Sequence, residues 1–297
     1  MMRAKNLLSN LWWSGVLMLC FWVMASKTFG KAPNNTIEAL TPKGIKATGY
    51  IDLRPSWITK SGNFTTEDTA ELGVQLTKNT SLTYMQGFVT NLYNPIGSEM
   101  TSGLKPQLDS GAIKTKVDNI WKSDIDGLAL SYENRISLPV DQASQDLGMI
   151  TIILNYIKLS KRVTDNLKFT LSEVVIPMIH KQSGVVSIEG EALANRVFEN
   201  RVYFIADVQL TDKLSFSMPL MFHQSRTANF RGDAANNASW SFHVWISPEL
   251  DYALNDHLTL GLAYYNNDSF FTPNLSSAQF GQALESGEFQ FVLIASL

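Results

Sequence analysis

The chain of 297 residues is short of cysteine, of charge and of long apolar runs, and each shortage excludes a class of protein. One cysteine, Cys20, supplies neither a disulfide framework nor a thiolate cluster. Charged residues make up 17%, with 24 Lys and Arg against 27 Asp and Glu, so no basic patch for nucleic acid is expected. A disordered chain would be richer in charge and poorer in aromatics, whereas this one holds 7 Trp, 9 Tyr and 16 Phe. A single long apolar run, at the N-terminus, excludes a polytopic helical membrane protein. Phosphate loops and dinucleotide fingerprints are missing too. The four scattered histidines (180, 223, 243 and 257) form no metal-ligand spacing, so neither cofactor nor metal is expected.

Met1 to Asn10 carries Arg3 and Lys5 without an acid, and Leu11 to Ala25 is apolar except for Ser14 and Gly15. A basic start, 15 apolar residues and the small-residue end at Ala25 read as a secretory signal cleaved there. The alternative, an uncleaved anchor, needs about 20 residues to span a bilayer. Cleavage removes Cys20 and two bases from a chain of formal charge −3, leaving −5 and no thiol. A thiol-free mature chain suits an oxidising compartment. Residues 26–44 are expected to form a short lead before the folded domain, 45–297.

From residue 45 onward the hydrophobic period is two. Leu214, Phe216, Met218, Leu220 and Phe222 alternate with Ser215, Ser217, Pro219, Met221 and His223. Trp240, Phe242, Val244, Ile246, Leu250, Tyr252 and Leu254 oppose Ser241, His243, Trp245, Ser247, Glu249, Asp251 and Ala253. A strand sorts such residues onto two faces, whereas a helix scatters them. The only helical expectation is one short turn within Glu189 to Arg196. Short polar reversals recur at Thr77–Thr80, Thr164–Asn166, Thr211–Lys213 and Asn255–His257, where Asn and Asp tolerate tight turns. Longer polar connections lie between the hairpins, so short turns gather at one end of an up-and-down meander and long loops at the other.

A secreted β-sandwich, a soluble lipocalin-like barrel and an outer-membrane barrel all fit a meander. Soluble strands average about 5–6 residues, while a tilted membrane strand needs about 9–11. The alternating stretches here match the longer length. With the export signal, strand length favours the membrane barrel, whose apolar face looks outward with aromatics near both interfaces. Trp57, Tyr84, Tyr93, Trp240, Tyr252 and Tyr264 stand near strand ends as that arrangement requires.

The C-terminal segment alternates Phe289, Phe291, Leu293, Ala295 and Leu297 up to the last residue. Over residues 45 to 297 the chain resembles the porin-like outer-membrane β-barrel proteins of Gram-negative bacteria. Leu297 departs from the aromatic residue that usually ends their last strand. The resemblance implies a location in the outer membrane, contact with its lipid, and recognition of Phe289 to Leu297 by the barrel-assembly machinery. It also implies termini on the periplasmic side and hence an even strand number. Eleven strands are read near 45–57, 67–77, 81–93, 127–138, 148–162, 166–179, 197–210, 214–224, 239–254, 257–266 and 287–297. Parity requires another, placed at Ser110 to Asp118 with a turn around Lys122 to Asp126. The expectation is an all-β fold, one antiparallel barrel of twelve strands, with ten and fourteen as alternatives.

On the inward phase stand Asp52, Arg54, Glu71, Glu133, Arg135, Asp207, His243, Glu249 and Asp251. A basic residue at the bilayer midplane costs about 2–4 kcal/mol on the lipid face, so these charges are assigned to the lumen. One reading is a passive channel for small solutes with an acidic, cation-favouring lumen; the alternative is a closed structural or surface-binding barrel. Thr48, Gly73, Thr83, Gly87, Ser131, Gly261 and Ala263 would leave room, whereas Tyr50, Trp245 and Tyr265 would narrow it. An outer-membrane lipid hydrolase would need a Ser–His pair such as His223 or His243 with Ser225, Ser239 or Ser241, but no motif of those enzymes is present. Asp124 and Asp126, spaced like the rim acids of omptin-like proteases, and Asp256–His257 fall at expected periplasmic turns. The chain is therefore read as a non-enzyme.

Overall fold

The computed structural model describes residues 46–58, 62, 64–93, 107–123, 127–186, 190–231, 239–266 and 286–296. The expected signal and lead, residues 1–25 and 26–44, lie outside them, as do Asp124, Asp126 and Leu297.

The strands are β1 (Lys46–Leu53), β2 (Pro55–Ile58), β3 (Phe64–Thr77), β4 (Thr80–Tyr93), β5 (Gln107–Lys122), β6 (Leu128–Leu138), β7 (Met149–Thr164), β8 (Leu167–His180), β9 (Gly184–Val186), β10 (Ala192–Ala194), β11 (Arg196–Gln209), β12 (Leu214–Thr227), β13 (Trp240–Ile246), β14 (Glu249–Asn255), β15 (Leu258–Tyr265) and β16 (Glu288–Ser296). β1 with β2, and β13 with β14, are single staves of the wall broken at one point. All pairings are antiparallel, and β16 closes the sheet on both β1 and β2. Apart from the β9–β10 hairpin, the result is a closed barrel of twelve strands. The expected fold and strand number are borne out.

Closure follows from local rules. Strands joined by reversals such as Lys78–Asn79 and Asp165–Asn166 pair with their chain neighbours, and a closed wall leaves no unpaired edge. The β3–β4, β5–β6, β7–β8, β11–β12 and β14–β15 connections share one end with residues 46 and 296, and the remaining connections between neighbouring staves share the other.

The strand that parity demanded is β5, and it is longer than Ser110 to Asp118. Its alternation is obscured by two register shifts, one opposite Gly87 and one between Val117 and Trp121. At the second, Asn119 adopts φ 49°, a left-handed conformation Asn tolerates better than most residues. The first inserts one extra residue opposite Gly87 and flips the phase, whereas the second inserts two and breaks the run without reversing it, Val117 and Trp121 staying on one face. The long pattern from 240 to 254 is likewise interrupted at Ser247–Pro248, since proline has no N–H for the ladder. Ser247 N there donates to Pro219 O at 3.1 Å, and Pro248 O accepts from Tyr264 N at 2.9 Å.

The helical turn expected within Glu189–Arg196 is not found: Ala192–Ala194 pairs with Gly184–Val186, and Arg196 begins β11. The helix of the described residues is α1 (Gln142–Asp146). Asp141 caps it, its Oδ1 accepting from Ser144 N at 2.7 Å, and Gly148 at φ 67° ends the loop.

Candidate functional site

Alternation assigns each side chain to a face. Ile51, Leu72, Ile136, Phe204, Leu262 and Phe291 are exposed on the exterior. The aromatics Trp57, Tyr84, Trp240 and Tyr252 share that phase and are exposed as well. Trp57 and Trp240 stand toward the long-loop end, Tyr84 and Tyr252 toward the short-turn end. Tyr264 packs edge-on to Phe289, ring centroids 5.3 Å apart.

The opposite phase carries the charge, gathered into separate ion-pair groups. Arg54 Nε lies 2.9 Å from Asp52 Oδ2, and its Nη1 lies 3.0 Å from Glu249 Oε2. β1 and β14 are separated by two strands around the wall, so this guanidinium reaches over both of them. Asp251 sits beside Glu249 on the same inward row, with one carboxylate oxygen buried and unpartnered. Glu71 pairs with Lys114 from β5, over the intervening β4. Glu133 holds Arg135 at 2.6 Å and Lys158 at 3.0 Å, and both cations lie over the Tyr156 ring. Asp207 pairs with Lys168 at 3.3 Å and accepts from Ser217 Oγ at 2.9 Å.

The largest group centres on a residue that sequence reasoning missed. Glu199, 1% exposed, pairs with Arg196, with Arg201 at 2.5 Å and with His223 at 3.2 Å. His223 begins an aromatic stack: its ring lies 4.9 Å from Trp245, which lies 5.3 Å from His243 at an interplanar angle of 2° and 6.4 Å from Tyr265. Lys114, Lys116, Lys158, Lys168 and Arg201 were missed too. Each occupies the inward phase; alternation alone could have found Lys158, Lys168 and Arg201, whereas the register shifts of β5 hide Lys114 and Lys116. They set bases beside most of the acids, which narrows the acid excess read from the sequence.

Two cavities open on these groups. One of about 360 Å³ is lined by Thr48, Tyr50, Glu71, Thr83, Lys114 and Lys116. A second of about 310 Å³ lies at the short-turn end, against Arg162, Lys168, Asp207 and Ser215. The serines suggested as nucleophiles engage one another instead: Ser225 Oγ is 2.6 Å from Ser241 Oγ, and Ser239 Oγ is 3.4 Å from Thr227 Oγ1. His223 turns toward Glu199 and Trp245. Asp256–His257 lies in the β14–β15 turn, where His257 Nδ1 is 3.1 Å from Ser296 O. Among the described residues no group of acids, histidines and cysteines is arranged to hold a metal ion.

No protein-family model matches the chain, and no curated protein does. Solved structures do. An outer-membrane channel from Pseudomonas putida F1 superposes with a TM-score of 0.56 at 11% identity, over 90% of this chain and 100% of the other. The NanC porin superposes with a TM-score of 0.51 at 13% identity, over 82% of this chain and 98% of the other. At such identities the likeness is one of fold, and the fold is that of porin-like outer-membrane barrels.

Proposed function

We propose, from this shared barrel and its inward charges, that the chain is a passive outer-membrane channel for small solutes in a Gram-negative bacterium, exported by residues 1–25. The observation that carries the reading is the polar interior: ion pairs bridging strands that are not neighbours, beside a cavity of about 360 Å³ lined by Thr, Tyr, Glu and Lys side chains. Charged groups are kept in a barrel interior when water reaches them. Asp52, Arg54, Glu71, Glu133, Arg135, Asp207, His243, Glu249 and Asp251 line the passage in this reading. Phe289 to Leu297 is the strand presented to the barrel-assembly machinery, and Trp57, Tyr84, Trp240, Tyr252 and Tyr264 sit at the membrane interfaces.

Selectivity is local in this proposal. Around Arg54 stand Asp52, Glu249 and Asp251, so that side concentrates cations in a low-dielectric passage. A closed structural or surface-binding barrel is the second reading. It is favoured by the inward but buried Val174, Ile176, Glu199 and His223, which fill the other side. Conductance across a planar bilayer under a salt gradient separates the two. Discrete cation-selective steps support the channel; a folded, heat-modifiable barrel giving no steps at any voltage favours the closed one. Tags at Gly232 and at Asp212 test orientation on intact cells. The first is expected to be labelled, and labelling of the second alone inverts the topology.

A further inference from the structure

The exterior of the barrel differs sharply between its two sides. Around β14, β15, β16 and β1 the outward phase reads Leu250, Tyr252, Leu260, Leu262, Phe289, Phe291, Leu293 and Ile51, without a charge. On β6, β7, β8 and β11 the outward phase includes Tyr132, Asn134, Asn155, Glu173 and Asn200. The phase is fixed by neighbours: Asn134 alternates with buried, inward Glu133 and shares the face of exposed Ile136. Glu173 likewise shares the face of exposed Phe169 and Ile179, and Asn200 that of exposed Phe204.

These polar residues form a row across four strands. Asn134 stands opposite Asn155, Asn155 opposite Val175, and Val175 opposite Asn200, with Glu173 one outward position along β8. Asn155 Oδ1 accepts from Tyr132 Oη at 2.9 Å and from Asn134 Nδ2 at 3.0 Å. Asn200 Nδ2 donates to Glu173 Oε1 at 3.3 Å, while Asn200 Oδ1 is buried without a donor. Among the described residues no lysine or arginine pairs with Glu173. Glu173 lies partway up β8 from the Asp165–Asn166 turn. With a rise of about 3.3 Å per residue and a tilt near 40°, that is roughly 16 Å into an apolar band about 25 Å tall.

At that depth lipid tails offer no hydrogen-bond partner, and every polar group needs one. We propose that the outward face of β6, β7, β8 and β11 is an interface between two copies of this chain, resting on the reading that the barrel sits in a membrane. A two-fold axis along the membrane normal brings each residue of one copy to the depth of the same residue in the other. Carboxamides both donate and accept, so the row is complementary to itself. The partner's amides donate to Glu173. An unrelated protein would need a matching polar row at the same depth.

The test uses the full-length chain extracted from outer membranes and returned to lipid vesicles. Val175→Cys puts a thiol at the centre of the row, and Leu262→Cys puts one on the apolar side; the unchanged chain, which loses its sole cysteine, Cys20, with the export signal, is the background. A short bis-maleimide is expected to link Val175→Cys into a dimer and to leave Leu262→Cys and the unchanged chain as monomers. The combined Asn155→Leu, Glu173→Leu and Asn200→Leu variant should stay heat-modifiable yet run at monomer mass in mild detergent. An inserted, heat-modifiable barrel whose Val175→Cys gives no dimer, gives no more than Leu262→Cys, or links to a different protein overturns the interface alone. Recovery of the unchanged chain as a soluble protein overturns the membrane reading and the interface with it.

Discussion

The wall of β3, β4 and β5 and the wall of β8, β11 and β12 obey one alternation and pair by the same ladder, yet their inner faces end in opposite states. The first presents Glu71, Gly73, Thr83, Gly87 and Lys114 and borders a cavity of about 360 Å³. The second presents Ser172, Val174, Ile176, Glu199, Met221 and His223, all buried. Side-chain bulk accounts for the difference. Small residues at successive inward positions leave space that water enters, whereas branched and aromatic ones fill it. Gly73 is the exception, close-packed rather than open: a Cβ there would come within 2.6 Å of Thr83 Oγ1 and 2.7 Å of Leu82 O. The charges differ accordingly. Glu71 and Lys114 border a cavity, while Glu199 is itself buried against His223 and its two arginines reach out to solvent.

Removing one carboxylate from each wall should give the largest effects. Glu199→Gln removes the buried acceptor shared by Arg201 and His223, and because both arginines of the group reach solvent it should cost about 1–3 kcal/mol. Glu71→Gln, beside a wet cavity that resolvates Lys114, should cost about 1 kcal/mol. The temperature at which the heat-modifiable band is lost measures both, and equal shifts would show that the two walls are equally wet. Next comes filling the open side. Thr83→Trp should lower unit conductance by roughly half, because a lumen near twelve strands lies between filled and open barrels; unchanged conductance would place the passage elsewhere.

A smaller effect is expected at the Arg54 group. Glu249→Gln with Asp251→Asn should reduce the cation-to-anion permeability ratio a few-fold, by weakening the local field without changing side-chain volume. A ratio that does not move assigns selectivity to another group. The smallest change is expected outside both inner faces: Trp57→Leu keeps an apolar residue at the interface and should alter folding stability by about 1 kcal/mol, read by urea unfolding in vesicles. A larger loss would mean that Trp57 packs against protein rather than lipid.

Much of this molecule was legible before its structure. The outward aromatics, the short reversals and eleven of the strands followed from alternation, because neighbours two residues apart on a strand always share a face. β5 was legible only through parity, since the bulge opposite Gly87 reverses its phase and the irregularity at Asn119 interrupts its run. The gap at Ser247–Pro248 was hidden for the converse reason. Both halves keep the same phase, so the pattern runs on through a break in the ladder.

The inward charges divide in the same manner. Asp52, Arg54, Glu133, Arg135, Glu249 and Asp251 stood out in clean alternating runs, whereas Lys114 lay in the strand whose pattern was broken. Glu199 and Arg201 lay at inward positions of a strand whose apolar face had drawn the attention.

By itself, then, the sequence determined the faces, the turns and the closed meander, because period-two burial and tight reversals are local properties of the chain. Only the tertiary structure decided which charges meet and which side of the interior is full. Arg54 reaches Glu249 across 195 residues of sequence, and Asn195, through its side chain, donates to Leu147 O, 48 residues away. Such partners are chosen by closure, which brings strands distant in sequence to the same part of one narrow interior, and no alternation along a single strand encodes who stands near it.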